Sequence, residues 1–389
     1  MKKVLIVSSV ASMIEQFNMP NINLLIKLGY KIHVACNFEE GNTCSDDQIY
    51  KLKKSLEELD VEYYQIDFKR NVMKIFDNIQ AYKKVLNLME NNEYSFVHCH
   101  SPIGGVCARL AGKATNTKVI YTAHGFHFYK GAPIKYWMIF YPIEKWLSRY
   151  TDVLITINEE DFARANKHFN ACKVEYIHGV GIDIKKLSKI VVDKSEKRKE
   201  LGIPVDAFLV ISVGELNKNK NHETIIKAIA ELNNPNVYYA VCGQGSLEGY
   251  LEDLIKELSL EKQVKLLGYR RDVAEISKIS DLFIFPSIRE GLPVALMEAM
   301  AMGMPVIGSK IRGNIDLIKY DEDEFLCKAK DVDRFKTLLQ RIIDNEELRL
   351  SMKNSNLENI KLFSLKSVLR ETENIYESIY KTSEIKPSV

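Results

Sequence analysis

What this 389-residue chain lacks narrows it first. It has no apolar run long enough to span a bilayer, which argues against a membrane-crossing helix. Its opening, Met1 to Ser9, reads as a short strand rather than as an export signal. Its seven cysteines are an odd number, and none stands in Cys-x-x-Cys spacing. Several fall in apolar strand-like runs, as free core thiols do, so a reducing, cytoplasmic setting is expected. The net charge is only +2, so nothing calls for a nucleic-acid partner. No Gly-x-Gly-x-x-Gly follows the first strand, which sets aside a nicotinamide oxidoreductase. Low-complexity segments and short-period repeats are also missing.

What is present is the composition of a soluble globular protein, 46% apolar and 27% charged. The length exceeds one ordinary core, so two domains are expected. Short apolar runs alternate with helical stretches, twice over. Val4–Ser8, Lys31–Cys36, Glu62–Ile66, Phe96–Cys99, Val119–Thr122, Val153–Thr156 and Val174–Ile177 form the first series. Helices are expected between them, at Pro20–Leu28, Val72–Glu90 and Ile134–Arg149 among others. The second series is Phe208–Val213, Val237–Val241, Val264–Leu267, Leu282–Phe285, Pro305–Gly308 and Phe325–Cys327. This pattern implies an α/β protein with two parallel, doubly wound sheets covered on both faces. The polar stretch Asp183–Gly202 separates the series. The expected divisions are a first domain over 1–185, a second over 186–362, and a C-terminal helical segment over 363–389. The apolar spacing in Leu365–Tyr380 suggests a helix returning to the first domain. In such sheets ligands sit beyond the carboxyl ends of the strands, in the cleft between facing domains.

The richest segment is residues 286–306, Pro-Ser-Ile-Arg-Glu-Gly-Leu-Pro-Val-Ala-Leu-Met-Glu-Ala-Met-Ala-Met-Gly-Met-Pro-Val. Pro293 marks a helix start as its first residue, and Gly303 marks its end. Amides at Leu292, Val294 and Ala295 would lack intrahelical partners, and the helix dipole would make their site attractive to phosphate. Glu290 then precedes the helix. Glu298 lies in its second turn, among neighbours apolar nearly all round. A buried carboxylate needs donors, and a sugar or ribose diol would supply them.

Other loops are weighed against blander readings. Gly214-Glu215-Leu216-Asn217-Lys218-Asn219-Lys220 follows a buried strand, with Lys220 placed to meet a diphosphate. Gly243-Gln244-Gly245 is as readily a tight turn as a ligand loop. The backbone around Tyr269 could meet a planar base, and Arg270 could assist a phosphate. In the first domain His124, beside Gly125 at a strand end, is placed to reach a ligand, whereas His127 reads as structural. His98 reads as core, and His100 borders the cleft. These histidines lack the further ligands a zinc site needs. Asp321-Glu322-Asp323 reads as a solvated turn, so no essential metal is expected. The aromatic and basic residues of Lys130–Arg149 suit either a packed helix with a wet face or a helix resting on a membrane.

At these residues the chain resembles the retaining glycosyltransferases of family 4, with the GT-B fold. The resemblance spans residues 1 to about 380. It is carried by Glu290 and Glu298 in Glu-x7-Glu spacing, with Gly291, Pro293 and the following Glu-Ala-Met-Ala-Met-Gly-Met-Pro-Val-Ile. The Gly214 loop with Lys220, His124-Gly125, and Gly179-Val180-Gly181-Ile182-Asp183 support it. The tone is similar to bacterial enzymes of capsule, exopolysaccharide or O-antigen assembly.

The resemblance implies two Rossmann-like domains across a cleft and a nucleotide-sugar donor, with a UDP-sugar expected and GDP left open. The acceptor would be a glycan or a lipid-linked saccharide, met at or near the inner face of the membrane. Glu298 would bind ribose, Glu290 would face the donor sugar, and Lys220 would hold the diphosphate. Amides of Gly291, Leu292, Pro293's neighbourhood and Val294 would hold sugar and phosphate. His124 would contact the donor sugar, while Ser9 and His100 would stand on the acceptor side. Three features depart from the family pattern. Glu215 stands where many relatives carry arginine, so Lys220 acts alone or with Arg270, Arg271 or Arg312. Ser8-Ser9-Val10-Ala11 replaces a glycine pair, and His178 replaces an asparagine. A nucleotide-sugar epimerase of the same form, or a non-catalytic partner subunit, is the alternative.

Overall fold

The computed structural model describes residues 2–71, 73–100, 102–319 and 322–379, except for the side chains of residues 322 and 323. It divides into two compact units. Unit one takes in the chain up to Val180 and again from Val368, and unit two is Gly181–Ser367.

Unit one is built on β1 (Lys3–Val7), β2 (Lys31–Cys36), β3 (Glu62–Gln65), β4 (Tyr94–His100), β5 (Lys118–Ala123), β6 (Val153–Thr156) and β7 (Lys173–Tyr176). These form one parallel sheet in the order β3-β2-β1-β4-β5-β6-β7. The sheet is buried along its middle, with Val4, Leu5, Ile6 and Val7 of β1 fully covered. Helices on both faces cover it, which is why these strands read as continuous apolar runs. The strand order reverses between β1 and β4, so the loops after Val7 and His100 open beside each other.

Unit two carries β8 (Phe208–Val213), β9 (Val237–Cys242), β10 (Val264–Leu266), β11 (Leu282–Phe285), β12 (Val306–Ser309) and β13 (Leu326–Cys327). Their order is β10-β9-β8-β11-β12-β13, again all parallel. Here the order reverses between β8 and β11. That reversal brings the 214–221 loop and the 286–293 loop side by side, although about 70 residues separate them in sequence.

Three local outcomes differ from the sequence reading. First, the polar stretch 183–202 that separates the two series is largely structured. It holds helices Ile184–Ser188 and Lys194–Glu200. Arg198 within it is fully buried, donating to the carbonyls of Ile279, Val205 and Ala207 and to Asp281. The change of unit falls at Val180 and Gly181. Gly181 has φ +77, and a Cβ there would sit 2.8 Å from the Leu365 Cα. Only glycine admits that close crossing of two chain segments.

Second, the helix expected to begin at Pro20 begins earlier. Ala11–Met13 leads into a π-helical turn, Ile14–Asn18, and then into Met19–Lys27. Pro20 brings no amide to the ladder, and the wide turn before it absorbs that loss. Third, the helix expected from Val72 starts at Ile75, and Val72 itself lies outside the described residues.

The C-terminal helix Leu365–Ser378 buries Val368, Thr372, Ile375 and Tyr376 within unit one. The Tyr376 ring stacks on Phe96 of β4 at 5.6 Å. Its hydroxyl bonds His98 Nδ1 at 2.8 Å. Glu371 of the same helix takes both the backbone amide and the ring Nδ1 of His178, at 3.0 and 2.6 Å. The residue that departs from the family's asparagine therefore fastens the returning helix.

Candidate active site

In unit two, the site grows from the switch between β8 and β11. Lys220 donates to its neighbouring loop's Glu290, Nζ to Oε1, at 2.7 Å. The ammonium also stands 4.8 Å from the Phe285 ring centroid. Three further bonds stitch the loops together. Ile288 N donates to Asn219 O at 2.8 Å, Asn219 Nδ2 to Arg289 O at 2.9 Å, and Asn221 Nδ2 to Pro286 O at 3.0 Å. Asn221 adopts φ +57 to begin the next helix, His222–Leu232. Glycine is needed for two close approaches here. A Cβ on Gly214 would lie 2.9 Å from the Lys220 stem, and one on Gly243 would lie 1.9 Å from Gly214 O. The Gly243 turn is thus a packing requirement of the lysine loop.

The helix after this loop runs Val294–Ala301. Pro293 is its N-cap, with φ −79 and ψ 115, and not its first helical residue as the sequence suggested. The first helix bond is Met297 N to Pro293 O, at 3.2 Å. By helix geometry, the amides of Val294, Ala295 and Leu296 therefore have no intrahelical partner. They supply the positive end of the dipole. The loop is held in place from behind. Arg312 Nε donates to Glu290 O at 3.0 Å. Gly313, at φ +79, leaves room for Gly291 O, which a Cβ would approach to 2.6 Å.

Glu298 has no hydrogen-bonding or ion-pair partner among the described residues, although most of its surface is covered. Desolvation raises its pKa above the ordinary carboxylate value, and the charge of Lys186 partly offsets this. Lys186 sits on the Ile184–Ser188 helix, which packs on the Val294–Ala301 helix.

Other expected donor contacts fare differently. Tyr269 is 60% exposed, its ring free for a ligand. Arg270 grips Asp272 with Nε and Nη2, at 2.8 and 2.6 Å, and also reaches Glu200 at 2.8 Å. These side-chain bonds hold the Asp272 carboxyl well below its usual range. Arg270 is thus paired with two carboxylates in this structure. Glu215 is exposed and forms no ion pair among the described residues.

In unit one, β4 and β5 are paired so that His98, His100, Thr122 and His124 share one neighbourhood. His98 Nε2 meets Thr122 Oγ1 at 2.8 Å, and His100 Nδ1 meets His124 Nε2 at 3.1 Å. Burial lowers the pKa of His98 to about 3 and of His124 to about 4, and pushes His100 well below its ordinary value. All three are neutral at pH 7. His124 therefore offers a neutral ring for hydrogen bonding, not a cation. The turn carrying it is anchored by Phe126 N donating to the buried Asp161 carboxylate at 2.9 Å.

His124 borders a cavity of about 560 Å³, together with Ser9, Met13, Phe17, Arg70, Phe140 and Glu144. The Ser9 hydroxyl oxygen accepts from Gly104 N at 3.0 Å, which fixes the Pro102–Thr115 helix against it. His127 stacks on Phe140 with centroids 4.6 Å apart. Under the cavity, Glu144 accepts from Arg109 Nη1 at 2.8 Å and from the Tyr121 hydroxyl at 3.3 Å.

Residues 3–158 match the family described as glycosyl transferase 4-like, and residues 193–358 match glycosyl transferases group 1. Over 386 residues the chain is 33% identical to EpsD of Bacillus subtilis (strain 168), a protein named as a glycosyltransferase, covering 97% of each chain. This chain belongs to the group 1, family 4-like glycosyltransferases. A second relative is UDP-Gal:alpha-D-GlcNAc-diphosphoundecaprenol alpha-1,3-galactosyltransferase of Escherichia coli. It is 29% identical over 315 residues, 79% of this chain and 81% of the relative. The structure of Anabaena Alr3699/HepE in complex with UDP-glucose shares the fold, with a TM-score of 0.76 at 17% identity. That match covers 97% of this chain and 100% of the other. The fold is GT-B.

In this glycosyltransferase, unit two holds Gly214, Lys220, Tyr269, Gly291, Leu292, Pro293, Val294, Glu290 and Glu298, and unit one holds Ser9, His100 and His124. Sequence reasoning missed three residues, Lys186, Arg109 and Glu144, and misjudged the role of a fourth. Lys186 lies far in sequence from Glu298, and Arg312, named only as a possible phosphate partner, instead holds the Glu290 backbone carbonyl. Arg109 and Glu144 sit in helices that carry no motif. The only signal for Glu144 was that it is the sole acidic residue between Lys130 and Arg149. Asp321 and the side chains of Glu322 and Asp323 fall outside the described residues. Among the described residues, no group of three or more His, Cys, Asp or Glu could hold a metal, and no helix is long and apolar enough to cross a membrane.

Proposed function

We propose that this glycosyltransferase transfers a hexosyl or N-acetylhexosaminyl residue from a UDP-sugar to a lipid-linked saccharide, with retention of configuration. The setting is surface-polysaccharide assembly on the cytoplasmic side. The observation that carries the donor half is Glu298: a mostly covered carboxylate with no donor, on a helix whose first amides await an anion. A ribose diol satisfies the carboxylate, and the diphosphate fits the amides and Lys220. The name of the Escherichia coli relative and the UDP-glucose in the Anabaena neighbour support a uridine nucleotide.

The chemistry follows from charge. Breaking the bond between sugar and diphosphate builds negative charge on the leaving group and positive character on the sugar. Fixed amides and the Lys220 ammonium are preorganised for the first, and the Glu290 carboxylate suits the second. The diphosphate competes with Glu290 for Lys220, so donor binding frees that carboxylate for the sugar. No resident metal is required, because amides and lysine meet the diphosphate charge. His124 serves as a neutral hydrogen-bonding partner for a substrate hydroxyl in the unit-one cavity.

The test is a panel of UDP- and GDP-sugars, scored first for slow donor hydrolysis and then for transfer to a diphosphate-linked saccharide. Proton NMR of the product reads the anomeric configuration. UDP-sugar use with the donor's configuration preserved is expected. Preference for GDP-sugars, or inversion, would overturn the respective part. Epimerisation of the donor without any acceptor would replace the transfer reading.

A further inference from the structure

The helix Ile134–Leu147 turns the wrong face outward for a soluble protein. Ile134, Met138, Ile139, Ile143 and Trp146 are 77, 72, 51, 42 and 45% exposed. Ile134, Met138, Pro142 and Trp146 recur every four residues, and Ile139 and Ile143 lie alongside, so they form one stripe. Its inner face is occupied elsewhere, by Trp137, Phe140 and Tyr141 packing on the unit-one core.

The charges around this stripe have one sign. Between Lys130 and Arg149 the exposed charged residues are Lys130, Lys135, Lys145 and Arg149. The only carboxylate, Glu144, is buried against Arg109. A second segment repeats the combination. Met73, Ile75 and Phe76 are 77, 58 and 85% exposed, beside Arg70 and Lys74, with Asp77 the one acid among residues 69–79. Both segments border the same cavity, through Arg70 and Asn71 on one and Phe140 and Glu144 on the other.

We propose that these two segments form a docking surface for an anionic lipid bilayer, with the Ile134–Leu147 helix lying in the interface plane. Large apolar side chains enter the acyl boundary, and the flanking lysines and arginines meet lipid phosphates. Charge complementarity selects this occupant: a second copy of the chain would bring the same cations against themselves. The cavity bordered by His124 then opens at the level of the headgroups. A lipid-linked acceptor could reach it without leaving the membrane, a consequence that rests on the acceptor reading above.

The full chain is tested by co-sedimentation with vesicles of phosphatidylcholine alone and of phosphatidylcholine with phosphatidylglycerol, neither holding any acceptor. Binding to the anionic vesicles only is expected. Met138→Glu with Ile143→Glu, and separately Lys135→Glu with Lys145→Glu, should each weaken it roughly tenfold or more. Both variants should keep the wild-type melting temperature and UDP affinity, since none of these residues touches either site. Absence of wild-type binding, or equal binding to neutral vesicles, overturns the proposal. So does a dimer in light scattering that the Met138→Glu, Ile143→Glu variant dissolves, which would make the face a contact between copies. Because the vesicles hold no substrate, failure here leaves the transfer reading standing.

Discussion

Lys220 and Glu290 form one ion pair, 2.7 Å between Nζ and Oε1, with side chains only 21 and 14% exposed. The cation proposed for the diphosphate and the carboxylate proposed for the sugar thus neutralise each other in this structure. Lys220→Met should weaken UDP binding by roughly 10- to 100-fold, the worth of a hydrogen bond to a charged group. Glu290→Gln should leave UDP affinity near wild type or raise it, because Lys220 is released. The same change should lower kcat by about a hundredfold or more. Titration calorimetry and steady-state rates separate the two effects. Equal loss of UDP affinity in both variants would refute the competition.

The buried histidines set a pH response. Unfolded histidine titrates near 6.5, whereas His98 and His124 are held to about 3 and about 4 by burial. Between those values the unfolded chain binds more protons than the folded one. Their stabilising contribution is therefore complete above pH 6.5 and is lost as pH falls toward 4. The melting temperature should drop across that window, and less steeply in His98→Gln. The same depression means that His124 introduces no inflection into kcat between pH 5 and 8. A slope unchanged in the variant would remove His98 from the account.

Much of this was legible in the sequence, for identifiable reasons. Parallel strands buried on both faces read as apolar runs, so β1, β2, β8 and β11 could be placed to within a residue. Helix punctuation located Gly303 correctly, with φ +72 just past the helix end. It misassigned Pro293 by one position, because a proline at N-cap and one at the first helical residue leave the same trace. What could not be read was partnership. Arg198 looks like one more cation in a polar stretch until Asp281 and four backbone carbonyls surround it. Lys220 and Glu290 each suited a ligand, and only the β8–β11 neighbourhood shows that they first suit one another.

Arg109 and Glu144 provide a test of the cavity floor, at 1 and 8% exposure. Arg109→Ala leaves a buried carboxylate without its cation and should cost about 3–5 kcal/mol of stability. Arg109→Met with Glu144→Leu should recover most of that loss. Urea unfolding of both variants measures it. A double variant no more stable than Arg109→Ala would show that the pair's value lies in the bonds that Arg109 Nε donates to Gly105 O, at 3.0 Å, and that Glu144 accepts from Tyr121, rather than in charge.

Amides and lysine, not a metal, are proposed to meet the diphosphate. Transfer rates should therefore stay within about twofold after exhaustive EDTA treatment, given the several kcal/mol a catalytic metal would otherwise supply. A tenfold fall restored by magnesium or manganese would contradict the assignment.

Glu298 is proposed to receive the nucleotide ribose. Calorimetry of UDP binding to wild type and Glu298→Ala tests it most directly. Glu298→Ala should lose at least roughly tenfold in UDP affinity, the scale of one charge-assisted hydrogen bond, with the melting temperature retained because a desolvated, partnerless carboxylate is removed. UDP affinity equal to wild type in a folded Glu298→Ala protein would contradict it.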